Sequence, residues 1–343
     1  MKNKDISDQS GLKSIWTDNL ANNKQPDSKA LLAHLRTVHQ HHPGFTEKCA
    51  STCRDKSGYN SYEWLAEIVP DIEGTRVLDL ACGSGPLLKI LHDRNKNLKL
   101  KGVDMCPEEL ALAKARMSDD AVDLFKLEAQ NLTSIKDNSI DIVLCHWALT
   151  LMDPIAPVLN EVRRVLSSNG RFAALINGPM SGAPSYSDVH NLIYGYVKSK
   201  LPSYGEIDLG DPRIRSENSL NNLVSEAFPE ANVSVENNIV SMEGPVSEVA
   251  ETAAGFFYAS FILSPDIRRK MLSELSNLLD ISKQSGNLER WGRFAMPVSR
   301  LVVKKYFAMA ERVGFEPTKR FPVYTLSKRA PSTTRPPLHL IKS

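Results

Sequence analysis

No apolar run in this 343-residue chain approaches the roughly 18 residues that a membrane span needs. The opening residues, MKNKDISDQSGLK, carry charge but no apolar core, so they do not read as a secretory leader. Cysteine is sparse and odd in number, five in all, with Cys82, Cys106 and Cys145 inside hydrophobic segments. That usage predicts free thiols, a reducing compartment and a cytoplasmic protein. Paired C-x-x-C spacing is missing. His34, His39, His41 and His42 ahead of Cys49 and Cys53 therefore read as a polar helix end with two small apolar residues, and no metal site is expected. A broad basic face is also lacking. The formal charge of +2 comes from the end of the chain, where residues 306–343 carry +5; residues 1–305 have 35 Lys/Arg against 38 Asp/Glu, a net −3. Such a body does not advertise a nucleic-acid partner. At 42% hydrophobic and 24% charged, the composition excludes disordered and collagen-like classes.

Residues 1–27 are polar and aperiodic and predict a flexible arm. Leu31, Leu32, Leu35 and Val38 then recur at helical spacing, and a second helix is expected over 61–69. Strands and helices alternate from there. Strands are predicted at 76–80, 98–104, 122–127, 140–144 and 171–176, with helices at 87–92, 107–117 and 158–166 and a turn at 167–170. Buried strands covered by helices on both faces predict an α/β, doubly wound, mostly parallel sheet. Later helices are expected at 186–200, 219–228, 245–263 and 265–279, with strands at 233–242 and 294–304. Ser264 and Pro265 would open the last helix as N-cap and N1.

The most informative segment is Val77-Leu78-Asp79-Leu80-Ala81-Cys82-Gly83-Ser84-Gly85-Pro86. A strand ends in a small-residue loop and a helix follows at once. Gly83 and Gly85 allow close approach of backbone to a ligand. The next strand ends in Gly102-Val103-Asp104, where a carboxylate can accept both hydroxyls of a ribose. A dinucleotide fingerprint would need a third glycine where Pro86 stands. Asp79 also places negative charge where a pyrophosphate gains nothing and a cationic ligand gains much. A nicotinamide-dependent oxidoreductase is disfavoured on both counts.

At these residues the sequence resembles the class I S-adenosylmethionine-dependent methyltransferases, and most of all the small-molecule branch that includes the ubiquinone/menaquinone and biotin-pathway enzymes. The likeness runs in order from about Glu73 to Leu175. Asp79 to Gly85 matches the first motif, with Ala81 in place of its commonest first glycine. Asp104 matches the ribose-binding acid, and Met105 would flank the adenine. Glu128-Ala129-Gln130-Asn131-Leu132 is similar to the segment whose acid accepts the adenine amino group and whose next backbone N–H meets the ring. Residues 137–143 and 164–170 resemble the approaches to the fourth and fifth strands, with Asn169 where a glycine is commoner. The resemblance implies a Rossmann-like seven-stranded sheet in the order 3-2-1-4-5-7-6 with the seventh strand antiparallel. It also implies lid helices over 28–72, a catalytic domain over 73–305 with acceptor-side helices at 183–292, and S-adenosylmethionine as cofactor.

In that family the loop after the fourth strand, Cys145-His146-Trp147-Ala148, faces the transferred methyl group. His146 is the candidate base for an oxygen or nitrogen acceptor, and shaping the pocket is its competing role. Tyr62 is a candidate cofactor contact, with helix packing as its alternative. The Asn/Asp-Pro-Pro-aromatic run of nucleic-acid amino-methyltransferases and the Pro-Cys nucleophile of the cytosine enzymes are both missing, which favours a small-molecule acceptor. The aromatic stretch Phe256-Phe257-Tyr258 would either line an apolar or aromatic acceptor pocket or bury a helix; burial is the preferred reading. Arg213 and Arg215 are read as part of a solvated loop rather than as cations for an acidic acceptor. A non-catalytic S-adenosylmethionine-binding regulator or partner subunit is the rival function.

The basic tail, 306–343, is expected to lie outside the folded enzyme, because its Pro-, Thr- and Arg-rich composition offers no core-forming face. MAERVGFEPT at 309–318 can be encoded so that the opposite strand reads as a tRNA T arm and acceptor end. LSK at 326–328 can similarly hide a serine anticodon loop, and RPPL at 335–338 the 5′ acceptor strand. The order suits a reading frame running antisense through a tRNA gene. The competing reading is a basic nucleic-acid-binding tail, and the coding nucleotide sequence decides between them.

Overall fold

The computed structural model describes residues 11–24, 26–117, 121–204, 210–282 and 290–305. The tail reading at 306–343 lies outside them, as do the first ten residues. Helices α1 (Ile15–Ala21), α2 (Ser28–His41), α3 (Glu47–Thr52) and α4 (Ser61–Ala66) precede an alternating region. That region runs β1 (Arg76–Leu80), α5 (Pro86–Arg94), β2 (Lys99–Asp104), α6 (Pro107–Arg116), β3 (Val122–Lys126), β4 (Ile140–His146), α7 (Ile155–Val165) and β5 (Leu166–Asn177). It continues through α8 (Pro184–Lys198), α9 (Glu217–Ala227), β6 (Asn232–Pro245), α10 (Val246–Gly255), α11 (Pro265–Leu279) and β7 (Trp291–Lys304).

The strands form one sheet in the order β3-β2-β1-β4-β5-β7-β6. Pairing is parallel from β3 to β5, and β7 is antiparallel to both its neighbours. The order and the reversed seventh strand are those that the resemblance implied. Alternate residues feed two cores, as the two-residue strand period requires. Ile142 and Leu144 belong to one, with Trp64, Leu65 and Leu87; Val143 and Cys145 belong to the other, with Val158 and Val162.

Several sequence expectations are corrected. The arm predicted over 1–27 contains α1, because Ser14 caps it and forms a reciprocal capping box with Thr17. Trp16 is 1% exposed and stacks on His34 at 4.8 Å, which gives the short helix an apolar anchor that periodicity over seven residues could not reveal. The helix expected over 245–263 stops at Gly255, a poor helix former, and a 3-10 helix, Tyr258–Phe261, follows. Residues 167–170 belong to β5 rather than to a separate turn, with the register shifting between Ile140 and Ile142 on β4. Ser264 is the N-cap of α11 but its side chain makes no capping bond. Pro297 is internal to β7, not near its start. β5 ends opposite Val298, so Pro297 has no strand partner on that side to miss its N–H, although its carbonyl still accepts the Gly178 N–H at 2.9 Å.

His34 on α2 joins α1 to the rest of the protein. Its side chain is wholly buried; Nδ1 is hydrogen-bonded to Ser14 Oγ at 2.9 Å, and Nε2 is without a partner. Burial lowers its pKa from 6.5 to about 4. The unfolded chain therefore binds the extra proton first, and this site's full stability is present above pH 6.5 and is lost as pH falls toward 4. A lowering of that size corresponds to about 3 kcal/mol. Thermal melts between pH 7 and pH 4.5 should show a loss that His34→Gln reduces, and an identical pH slope in the variant would exclude the effect.

Candidate functional site

The C-terminal ends of the central strands open into a cavity of about 730 Å³, covered by residues from α2, the α2–α3 connection and α4. That location is where open parallel sheets hold their ligands. Its floor is the loop from Asp79 to Pro86. Asp79 is 1% exposed and its Oδ1 has no hydrogen-bond partner. Burial, and then the charge of Asp104, pushes its carboxyl well above the usual range. Ala81 takes a left-handed φ of 58°. Trp147, also on the wall, does the same at 60°. Such backbone positions cost energy in a residue with a Cβ and gather at functional sites. Gly83 (φ 52°) faces open space, since an added Cβ would meet nothing closer than Glu109 Oε2 at 3.7 Å.

Asp104 stands at the end of β2, 8% exposed. Oδ2 accepts the Gly83 N–H at 2.9 Å and Oδ1 accepts the Cys106 N–H at 2.9 Å, so one carboxylate sets both the glycine loop and the start of α6. Burial raises its pKa despite those two bonds. Met105, Glu128 and Ala129 extend the wall beyond it. The Glu128 carboxylate accepts from Arg36 Nη2 of α2 at 2.5 Å.

Two of the residues read as cofactor contacts are placed otherwise. Cys145 lies in the core beneath the sheet, 0% exposed and away from the cavity, because strand alternation turns it opposite to Leu144; burial pushes its thiol up to about 12. Gly85 is not in the cavity wall. It is the left-handed N-cap of α5 (φ 78°), and its missing side chain admits Ala113 of α6, whose Cβ would lie 3.0 Å from an added Cβ.

His146 does line the cavity. Tyr62 stacks on its ring at 3.7 Å between centroids. Nε2 is 2.9 Å from Ser61 Oγ, and that hydroxyl donates to Ala50 O at 3.3 Å. With its one proton so directed, the serine accepts from Nε2–H, and Nδ1 is left as the basic nitrogen. Burial holds the imidazole pKa well below 6.5.

Sequence reasoning missed a network above the floor. His39 Nδ1 lies 2.7 Å from Glu109 Oε1 and its Nε2 lies 2.8 Å from the Tyr258 hydroxyl. The Gly44 N–H also donates to Glu109 Oε1 at 2.9 Å, and Glu109 Oε2 is buried without a partner. Glu47 of α3 accepts from Ser84 Oγ at 2.7 Å and from Arg116 at 2.6 Å. The spacing of Leu31, Leu35 and His39, each four residues on, was the available signal, since all three share the cavity face of α2. Phe257 is buried and Phe256 and Tyr258 are part-buried, and all three line the cavity, so the stretch both packs and faces the cavity. Among the described residues no cluster of His, Cys, Asp and Glu could hold a metal, and no helix is long and apolar enough to cross a membrane.

The sheet order, the glycine loop and the strand-end acid are the features that the resemblance to class I methyltransferases implied. Residues 78–174 match the family described as "Methyltransferase domain". The chain is also similar to proteins of the ubiquinone/menaquinone branch. It is 28% identical over 148 residues to a demethylmenaquinone methyltransferase of Thermotoga maritima, covering 43% of this chain and 62% of that one. It is 28% identical over 136 residues to the ubiquinone/menaquinone biosynthesis C-methyltransferase UbiE of Desulfotalea psychrophila, covering 40% and 53%. The matched region thus spans between about half and two thirds of these relatives. The solved structure of the [4+2]-cyclase SpnF is 16% identical, covers 82% of this chain and 98% of that one, and superposes with a TM-score of 0.51, which shows the shared fold. A protein named for cyclisation on this scaffold is a reminder that the fold does not specify the reaction.

Proposed function

We propose that this protein transfers a methyl group from S-adenosylmethionine to a small-molecule acceptor. The observation that carries the proposal is the floor of the cavity. Asp79 and Asp104 converge there, and Asp79 Oδ1 is a buried oxygen with no partner. A buried polar group without a partner is costly, so the site is built for a ligand that supplies one. A ligand with positive charge and a ribose suits these carboxylates, and a pyrophosphate does not. The open face of Gly83 and the left-handed Ala81 leave room for close approach. Asp104 would hold the ribose hydroxyls, Met105, Glu128 and Ala129 the adenine, and Asp79, Ala81 and Gly83 the amino-acid end. When bound, S-adenosylmethionine supplies an electrophilic methyl group on sulfonium. Calorimetric titration with S-adenosylmethionine and S-adenosylhomocysteine tests the assignment, with NADH as control. Binding of NADH alone would overturn it. Labelled methyl incorporation into a cell extract separates an enzyme from a non-catalytic binding protein.

The chain's own part in the chemistry is to position the acceptor and take its proton. Residues 28–72 act as a lid over the cavity, tied down by Arg36 to Glu128 and by Glu47 to Arg116. His146 takes a proton at Nδ1, with Ser61 fixing the tautomer and Tyr62 the ring plane. Because its pKa lies below 6.5, the acid limb of kcat should fall below pH 6.5. His146→Gln should lower kcat by about 100-fold or more with little change in cofactor affinity, and that limb should vanish. An unaltered pH profile would leave His146 a pocket-shaping residue.

A further inference from the structure

Beside Asp79 and Asp104 the glycine loop meets a third buried carboxylate on the cavity wall, Glu109 in the first turn of α6. It is 2% exposed. Oε1 accepts the Gly44 N–H at 2.9 Å and lies 2.7 Å from His39 Nδ1, so the lid side holds the carboxylate in place. Oε2 is buried and has no hydrogen-bond partner among the described residues. Its aim is given by Gly83, since a Cβ built on that glycine would meet Oε2 at 3.7 Å and no heavy atom nearer. The unpartnered oxygen therefore borders the open face of Gly83.

Glu47 is the contrasting case. It lines the same cavity, but its Oε2 already accepts from Arg116 at 2.6 Å and from Ser84 Oγ at 2.7 Å. Among the described residues the ionic partner of Glu109 is His39, which balances it only when protonated. The charge of Glu109 is felt nearby: burial first, and then Glu109 and Asp104, hold the Tyr258 phenol above its ordinary pKa.

Resting on the methyl-transfer reading above, we propose that Glu109 Oε2 and the face of Gly83 form an ammonium site, and that Glu109 selects adenosyl ligands by the α-ammonium group of their amino-acid end. A buried acceptor needs a donor, and a buried negative charge needs a positive one. A sulfonium has charge but no N–H or O–H, and a ribose hydroxyl donates but brings no charge. A primary ammonium supplies both, with three N–H donors and charge-assisted bonds roughly twice as strong as neutral ones. Glycine at position 83 leaves the space that such a group would enter.

The test compares S-adenosylhomocysteine with its desamino analogue, the same molecule without the ammonium group, by calorimetry on the full chain at pH 7.5. The native chain should prefer S-adenosylhomocysteine by about 10-fold or more, the effect of one hydrogen bond between charged groups. Glu109→Gln keeps the side-chain length and an oxygen for the Gly44 N–H while removing the charge. It should reduce that preference by about 10-fold or more and leave the affinity for the desamino analogue no weaker, which also reports that the variant is folded. Glu109→Asp, which keeps the charge, should retain part of the preference. Equal affinity for the two ligands in the native chain would overturn the proposal without any variant. So would a preference that Glu109→Gln leaves unchanged, including an equal loss for both ligands, which would assign Glu109 to the ribose or to the lid; in either case the methyl-transfer reading stands. If neither S-adenosylmethionine nor S-adenosylhomocysteine binds the native chain, that reading fails and the ammonium site falls with it.

Discussion

Replacing Asp104 with Ala should weaken S-adenosylmethionine binding by about 10- to 150-fold, the 1.5–3 kcal/mol typical of charge-assisted hydrogen bonds. The upper end of that range is expected. Asp104 has a structural part besides its proposed contact with the ribose, since Oδ2 holds the Gly83 N–H and Oδ1 the Cys106 N–H. Removing the carboxylate therefore leaves two backbone donors unpaired and loosens the loop that approaches the ligand. Asp104→Asn retains one acceptor oxygen and should lose less. Calorimetry on folded protein, judged by an unchanged circular dichroism spectrum, is the measurement. Equal affinity in wild type and Asp104→Ala would remove Asp104 from the cofactor site and the strand-end argument with it.

The largest stability effect is expected at Trp16. Its indole is buried at 1% exposure, stacked on His34 and edge-on to Tyr204 at 5.2 Å. Trp16→Ala should cost about 3–5 kcal/mol, as for other fully buried large side chains. The loss unseats α1 from α2, and α2 carries Arg36 and His39 over the cavity. Denaturant unfolding should show the reduced midpoint, and cofactor affinity should fall along with it as the lid loosens. A variant melting like the wild type would restore the expectation that this end of the chain is an unattached arm.

What the sequence could specify was local or strictly ordered. That Asp79, Gly83 and Asp104 would meet on one cavity was legible because a strand, a small-residue loop and a strand-end acid follow one another within thirty residues, and sheet topology brings such a loop to the C-terminal edge of the strands. The α/β class and the strand positions were legible for a similar reason, since buried parallel strands are continuous apolar runs. The resemblance, rather than periodicity, supplied the strand order. The remainder depended on which side a residue faced and what came to meet it from far along the chain. Cys145 and His146 are adjacent in sequence, yet the two-residue period of β4 sends one into the core and leaves the other on the cavity wall. Gly85 looked like a ligand glycine, and the approach of Ala113 made it a helix-packing glycine. His39, Glu109 and Tyr258 are 70 and 219 positions apart in their contacts, and only the folded chain brings them to 2.7 and 2.8 Å. Side-chain hydrogen bonds at such separations leave no periodic trace, because each partner is selected by the packing of whole elements and not by its neighbours in the chain.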